Sequence, residues 1–334
     1  MPHLFFEDFE PGATDLAGSV MVTKEAIVAF ARDYDPQPFH VDEAAARTSF
    51  AGGLIASGWH SCALLMRLVA EGFILDSSSM GAPGIEEVKW LKPVRPGDTL
   101  RARRTVLETK ASRSRPEMGL VRVRFELLNQ ADEVVMTQAN WLMMGRRDGP
   151  PAAPRSAAVE RPAPSPPPRP GASPADDGMA FEDVAVGSVA ELGSHTFTAD
   201  AIIRFAQEFD PQPFHVDPEA AKRSHFGGLC ASGWHTAAAW MRRLVDHRER
   251  LRERVLARGG RPVAYGPSPG FRDLRWLKPV YAGDTLTFYT RVVDKRSSAS
   301  RPEWGLVFSH NTGYNQHGEL VFEFSSTGFV ERRG

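Results

Sequence analysis

An eight-residue string, DPQPFHVD, occurs twice in the chain and holds the residue types best suited to acid–base chemistry. In the first copy an aspartate, Asp35, lies five positions before a histidine, His40. Histidine exchanges protons near neutral pH, and a carboxylate does so when its surroundings tune its pKa. The string therefore predicts a general acid–base pair, which the second copy repeats as Asp210 and His215.

Two prolines make this string a stiff turn. Pro36 and Pro38 flank a single residue, and proline fixes its own backbone while disfavouring a helix before it. Such a turn can aim both side chains at one water molecule with little conformational entropy left to lose. The alternative interpretation is structural: Asp35 accepts backbone N–H groups within the turn, His40 is a satisfied histidine, and Asp42 caps the next helix.

A second repeated string, GGLxASGWH, opens a helix that is apolar nearly all round, which indicates a buried helix. The string covers 52–60 in the first copy and 227–235 in the second. A helix N-terminus with glycines close by offers backbone N–H groups and the positive end of the helix dipole, both suited to a developing negative charge. The serines beside these glycines, Ser57 and Ser232, are predicted to orient the aspartates.

The chain outside one segment is a tandem repeat. Residues 35–69 and 210–244 are identical at 22 of 35 positions, with an offset of 175. Further along, WLKPVRPGDTL at 90–100 matches WLKPVYAGDTL at 276–286 with an offset of 186. Two copies are too few for a solenoid, so the repeat predicts a duplicated domain. We assign these domains to 1–147 and 179–334.

The segment between the two domains, 148–178, is predicted to be an extended linker. It holds 10 of the 26 prolines in the chain and no aromatic residue. Such a segment cannot bury enough apolar surface to fold by itself.

Each copy is predicted to belong to the α+β class. In the first copy Thr23 precedes an amphipathic helix over 24–34, and the buried helix follows the turn. The remainder alternates between apolar strands and turn signals such as RPGDT and NQADE. The expected architecture is an antiparallel meander wrapped around one buried helix. Its four strands are expected at about 84–92, 98–110, 118–130 and 133–145.

Composition argues against several classes of protein. The 334 residues include 40 Lys or Arg and 41 Asp or Glu, and a formal charge of -1 favours neither a nucleic-acid surface nor a polybasic membrane patch. The cysteines, Cys62 and Cys230, are too few for a disulfide framework and occupy non-equivalent positions of the repeat. With no signal-peptide pattern and no membrane-spanning apolar stretch, a cytoplasmic location is expected.

The two strings together resemble a known family. DPQPFHVD resembles the D-x-N-P-x-H-x-D hydratase motif of the MaoC-like hot-dog family, which includes the (R)-specific enoyl-CoA hydratases, and the glycine-rich helix start fits that family too. The family's asparagine is Gln37 here, and Gln212 in the second copy. The resemblance implies two hot-dog domains packed as a pseudo-dimer, either as a monomer or as a homodimer of double hot-dogs.

The resemblance also implies a lyase that adds water to an α,β-unsaturated acyl thioester or removes it from a 3-hydroxyacyl thioester. The substrate would be carried by coenzyme A or an acyl-carrier protein, with no metal and no cofactor beyond the coenzyme A of the substrate. The backbone around Gly58, and around Gly233 in the second copy, would stabilise the thioester oxygen. Trp59 and Trp234 flank the site and favour a short or branched acyl group. The general acid–base groups would be Asp35, His40, Asp210 and His215.

Other interpretations stay open at this point. A hot-dog thioesterase would aim water at the carbonyl carbon, and a non-catalytic thioester-binding protein would have no use for intact acid–base pairs in both copies. His40, Asp42 and His60 could form a metal site, for which their spacing is a weak signal. The second copy has a longer helix whose arginines could meet a coenzyme A phosphate or form a solvated face with Arg–Glu pairs. These are Arg248, Arg250, Arg252, Arg254 and Arg258.

The copies differ in the walls around the two pairs. Leu64 and Leu65 of the first copy align with Ala239 and Trp240 of the second. Intact pairs with different walls predict two competent sites with unequal acyl preference, each borrowing part of its pocket from the other half.

Overall fold

The computed structural model of the chain describes residues 3–149, 166–168 and 180–333. Of the predicted linker over 148–178, only Asp148, Gly149 and 166–168 are described, and the remainder lies outside the described residues. The domain boundaries at 147 and 179 therefore stay predictions.

The two halves repeat one order of elements, a strand, four helices and four strands. The described residues of the first half form β1 (Thr14–Met21), α1 (Lys24–Tyr34), α2 (Pro38–Val41), α3 (Glu43–Thr48), α4 (Gly58–Gly72), β2 (Gly84–Trp90), β3 (Thr99–Ala111), β4 (Met118–Leu128) and β5 (Val134–Gly145). Those of the second half form β6 (Val189–Thr196), α5 (Ala199–Phe209), α6 (Pro213–Val216), α7 (Pro218–Arg223), α8 (Gly233–Ala257), β7 (Gly270–Trp276), β8 (Thr285–Ser297), β9 (Trp304–Tyr314) and β10 (Leu320–Glu331).

The elements follow the signals in the sequence closely. The Thr23 hydroxyl caps α1 by accepting the N–H of Ala26, and Asp42 caps α3, as predicted. The four predicted strands are confirmed to within two residues at each end. The prediction missed β1, which lies at one edge of the sheet with most of its residues exposed and so lacks an alternating apolar pattern.

All the strands described here join one sheet, in the order β1-β3-β4-β5-β2-β7-β10-β9-β8-β6. Strands β3, β4 and β5 form the predicted antiparallel meander. The expectation that β2 opens this meander is wrong, because β2 pairs with β5 on one side and with β7 on the other. From that position β2 connects the two halves.

The β2–β7 pairing requires glycine at both of its ends. Gly84 lies opposite Arg275, and Gly270 lies opposite Lys89. A Cβ atom on Gly84 would overlap the carbonyl oxygen of Leu274, and one on Gly270 would overlap that of Val88. Gly270 also has a φ of 143°, which an L side chain rarely adopts.

The two halves also share one hydrophobic core. The central helices α4 and α8 contact each other, and Trp59 of α4 stacks on Phe271 of β7 with ring centroids 4.8 Å apart. Two arginines reach across reciprocally: Arg67 donates to the carbonyl of Gln207, and Arg242 to that of Arg32. These carbonyls lie in the last turns of α5 and α1, where backbone acceptors are free. The predicted α+β class, with two domains packed side by side, is confirmed.

Among the described helices, none combines the length and apolar character needed to cross a membrane.

Replacing Gly270 with alanine should weaken the junction of the two half-sheets. The added methyl group must displace the backbone of β2, and we expect the free energy of unfolding to fall by about 1–3 kcal/mol, the usual cost of overpacking. The control is Gly328→Ala in β10, where a Cβ meets open space. Denaturant unfolding of both variants checks this, and equal midpoints would contradict the role assigned to the junction.

Candidate functional site

The proline-containing turn places an aspartate and a histidine side by side. Asp35 ends α1, and His40 lies in the single turn of α2, which Pro38 begins. The His40 Nε2 atom lies 3.4 Å from Asp35 Oδ2. Both residues are buried, at 4% and 2% exposure. The two side chains therefore lie side by side, as the sequence predicted. We call them the first dyad.

The histidine is fixed in one orientation. Its Nδ1 atom lies 2.7 Å from the carbonyl oxygen of Ile55. A carbonyl oxygen only accepts hydrogen bonds, so Nδ1 carries the proton and donates it. In the neutral ring, Nε2 is then the basic nitrogen, and it faces Asp35.

Two donors hold the carboxylate. The Ser57 hydroxyl donates to Asp35 Oδ2 at 2.6 Å, and the Gln37 amide donates to Oδ1 at 2.9 Å. Ser57 thus contacts the aspartate as the sequence predicted. Gln37, where the resembled motif has asparagine, holds the second oxygen, so this departure from the motif lies directly against the dyad.

The second half builds the same arrangement, the second dyad. His215 Nε2 lies 3.6 Å from Asp210 Oδ2, and His215 Nδ1 lies 2.7 Å from the carbonyl oxygen of Cys230. The Ser232 hydroxyl and the Gln212 amide hold Asp210 at 2.6 and 2.9 Å.

Glycine at the start of each central helix has a steric cause. A Cβ atom on Gly58 would overlap the ring of Trp90, and one on Gly233 would overlap Trp276. Gly58 is the first residue of α4, so its N–H has no acceptor within the helix. The next N–H, that of Trp59, is bonded to the Ser57 hydroxyl.

A cavity of about 770 Å³ opens onto the first dyad. Its wall includes Asp35, His40 and Gly58, together with Trp59. Much of the remaining wall comes from the second half, as the sequence predicted for a borrowed pocket; examples are Trp240, Leu244, Arg248, Asn311 and Phe324. No sequence signal pointed to Asn311, because its place in the wall depends on the docking of the two halves. The second dyad does not line this cavity.

The histidines that begin the central helices are structural. His60 stacks on Phe30 with ring centroids 4.6 Å apart, and His235 stacks on Phe205 at the same distance. Burial lowers the pKa of each to about 3, so both rings are neutral near pH 7. No group of three or more metal-ligating side chains capable of holding an ion lies within the described ranges, so His40, Asp42 and His60 are not brought together as a metal site.

The arginines of α8 differ in their surroundings. Arg248 lines the cavity, with its guanidinium 4.1 Å from the centre of the Tyr265 ring. The interpretation as a solvated face is therefore wrong for Arg248. The other four arginines are exposed; Arg252 pairs with Glu249, and Arg250 donates to the carbonyl of Leu192. The four are Arg250, Arg252, Arg254 and Arg258.

Comparison with known sequences gives one family and two curated relatives. The model described as "MaoC like domain" matches residues 9–126 and 185–304. The chain is 30% identical over 154 residues to the uncharacterized protein YdeM of Bacillus subtilis, covering 46% of the chain and 100% of YdeM. It is 31% identical over 233 residues to the mesaconyl-CoA hydratase of Cereibacter sphaeroides, covering 65% of the chain and 62% of that enzyme. The chain thus spans less than two thirds of the hydratase.

Solved structures agree on the fold. A MaoC domain protein dehydratase from Chloroflexus aurantiacus matches with a TM-score of 0.77 at 18% identity, covering 100% of this chain and 99% of that one. A double hot-dog protein from Mycobacterium tuberculosis matches with a TM-score of 0.68 at 16% identity, covering 98% of both chains. These matches confirm the predicted double hot-dog fold.

The buried histidines should make stability depend on pH. Below pH 6.5 the unfolded chain protonates His60 and His235 while the folded protein does not. Stability should therefore fall as the pH drops from 6.5 towards 3, by about 1.4 kcal/mol per pH unit for each histidine. His60→Phe with His235→Phe keeps stacked rings and removes this dependence. Denaturant unfolding at pH 7, 6 and 5 measures the difference between variant and wild type.

The control for this measurement is His317→Gln, at an exposed histidine, which should follow the wild-type curve. Parallel pH profiles for the double variant and the wild type would show that the two buried imidazoles do not carry the effect.

Proposed function

Because the chain belongs to the MaoC-like domain family, we propose that it hydrates an α,β-unsaturated acyl thioester, or dehydrates the 3-hydroxyacyl thioester in reverse. The observation that carries this proposal is a cavity ending on a buried carboxylate and a basic imidazole nitrogen. The hydratase among the relatives supports the reaction type and a coenzyme A thioester; an acyl-carrier protein is the other carrier to test.

The first dyad can activate a water molecule. The distance of 3.4 Å between His40 Nε2 and Asp35 Oδ2 is longer than a usual hydrogen bond, so a water in the cavity can contact both atoms. As the water oxygen bonds to the β-carbon, the dyad accepts a proton. The dyad then returns a proton to the α-carbon and ends in its starting state. This addition changes no net oxidation state and needs no cofactor beyond the thioester carrier.

The thioester oxygen gains negative charge as the water adds and the α-carbon becomes carbanion-like. We assign its stabilisation to the N–H of Gly58 at the positive end of α4. Gly58 lines the cavity, and Trp90 packs against it where a side chain would otherwise stand. Gly233 has the equivalent place in the second half.

The walls around the first dyad favour a short or branched acyl group. The rings of Trp59, Trp240 and Phe324 lie within 6.0 Å of one another, centroid to centroid, and all three line the cavity. A long straight chain would have to displace these packed rings. Trp234 is buried beside Trp276 and does not line this cavity.

A thioesterase is the second candidate, because the same water could attack the carbonyl carbon. The two reactions differ in product: hydration keeps the thioester and removes the enoyl absorbance, whereas hydrolysis releases a free thiol. Following both signals on crotonyl-CoA separates them. A non-catalytic binding protein would give neither signal.

Exchanging both aspartates for asparagine should abolish hydration. Asp35→Asn with Asp210→Asn keeps the shape of each side chain and removes the carboxylates that contact the water. We expect a loss of about 10²–10⁴-fold in kcat/KM, the usual contribution of general acid–base groups. The assay is the loss of enoyl absorbance, with the melting temperature as the folding control. Turnover within a few-fold of wild type would remove the dyads from the mechanism.

The single variants should differ from each other. The described cavity reaches Asp35 and not Asp210, so Asp35→Asn should be the more damaging change on branched enoyl thioesters. Asp210→Asn should have its larger effect on the smallest substrate, crotonyl-CoA. Equal losses across the whole panel of thioesters would contradict the expected inequality of the two sites.

A further inference from the structure

The repeat reveals a cluster of three aromatic residues that exists in only one half. In the first half Phe9, Phe73 and Phe125 are buried and packed together, with ring centroids 6.2 Å apart for Phe9–Phe73 and 6.4 Å for Phe73–Phe125. The offsets of 175 and 186 align these positions with Val184, Arg248 and Asn311. Each large ring is thus replaced by a smaller or a polar side chain.

The three replacing residues all line the cavity of the first dyad. We call Val184, Arg248 and Asn311 the polar pocket. The same difference is found two residues earlier on the strand. Ser309 of β9 lines the cavity, whereas the aligned Val123 of β4 is fully buried in the core. At these positions the second half therefore lines an open cavity with smaller or polar side chains, whereas the first half is filled with rings.

Arg248 is the charged member of this pocket. No hydrogen bond or ion pair is formed by its guanidinium with any of the described residues, and its contact is the face of Tyr265. Burial lowers the pKa of Arg248, which reflects the cost of holding a cation away from water. A guanidinium stays protonated, so a bound anion would recover that cost.

Arg248 continues the cavity wall along one face of α8. Trp240, Leu244 and Arg248 follow one another at intervals of four residues on one face of α8, and all three line the cavity. Trp240 lies beside Trp59, with ring centroids 6.0 Å apart. Arg248 is about 12 Å further along the helix, at a rise of 1.5 Å per residue.

On the basis of the function proposed above, we propose that Arg248 binds a carboxylate at the distal end of the acyl group, so that the substrate is the monothioester of a short unsaturated dicarboxylic acid. Arg248 and Asp35 line the same cavity, so a carboxylate carried by the acyl group would enter that cavity together with the reacting carbons. The coenzyme phosphates lie a whole pantetheine arm away from those carbons.

The test compares two thioesters that differ only in this group. Fumaryl-CoA carries a carboxylate where crotonyl-CoA carries a methyl group. Arg248→Met should lower kcat/KM for fumaryl-CoA by about 10–100-fold, the usual effect of losing a hydrogen bond to a charged group. It should leave crotonyl-CoA within a few-fold of wild type. Arg252→Met, one turn further at an exposed position, is the matched control and should change neither.

Thioesters of N-acetylcysteamine lack the coenzyme phosphates. Repeating the comparison with fumaryl- and crotonyl-N-acetylcysteamine therefore distinguishes an acyl carboxylate from a coenzyme phosphate as the anion that Arg248 binds. A selective loss on the fumaryl thioester that persists there supports the proposal. A loss that is equal for both acyl groups and disappears with N-acetylcysteamine would assign Arg248 to a coenzyme phosphate and overturn it. Arg248→Lys, which keeps the charge, provides a second variant if Arg248→Met has a lowered melting temperature.

Binding of unreactive analogues keeps this proposal separate from the proposed reaction. Wild type should bind succinyl-CoA at least tenfold more tightly than butyryl-CoA by calorimetry, and Arg248→Met should remove that preference. If the preference is found but no thioester is hydrated, the reaction is wrong and the carboxylate site stands. If crotonyl-CoA is hydrated but no preference exists, the carboxylate site is wrong and the reaction stands.

Discussion

The pairing of β2 with β7 is the constraint on which the rest of the structure depends. It converts two half-sheets into one and brings the two central helices into contact. Without it, the first dyad would lie at the surface of its own half, because the cavity above it is closed by residues of the second half. Glycine at both ends of the pairing is the local condition for this arrangement, since a side chain there would collide with the opposite backbone.

The dyads depend on a second constraint, the proline-stiffened turn. It brings Asp35 from the end of one helix and His40 from a single helical turn onto the start of α4. The carbonyl of Ile55 then selects the tautomer of His40, while Ser57 and Gln37 hold the carboxylate. Nearly every polar atom of the dyad therefore has a fixed partner before any substrate arrives, which lowers the reorganisation needed for proton transfer.

Duplication has kept the acid–base groups and changed what surrounds them. The two dyads have equivalent hydrogen-bond partners, with His–Asp distances of 3.4 and 3.6 Å, whereas only the first dyad lines the described cavity. The aromatic cluster of the first half adds to its core, and the aligned positions of the second half line a cavity. One half thus fills these positions with packed rings while the other leaves a cavity there, and the two halves share one hydrophobic core.

The sequence by itself determined the repeat, the helices with their caps, the strands of the meander and the residues of both dyads, because these depend on periodicity, proline and capping side chains within one copy. It missed β1, whose exposed residues lack a pattern, and it misplaced β2, whose partner is in the other half. It predicted a borrowed pocket, and the tertiary structure decided which residues of the other half wall the first dyad. Trp240, Arg248 and Asn311 are remote from Asp35 in the chain and meet its cavity only when the two halves dock. Local patterns specify elements, and only the docking of those elements specifies a pocket.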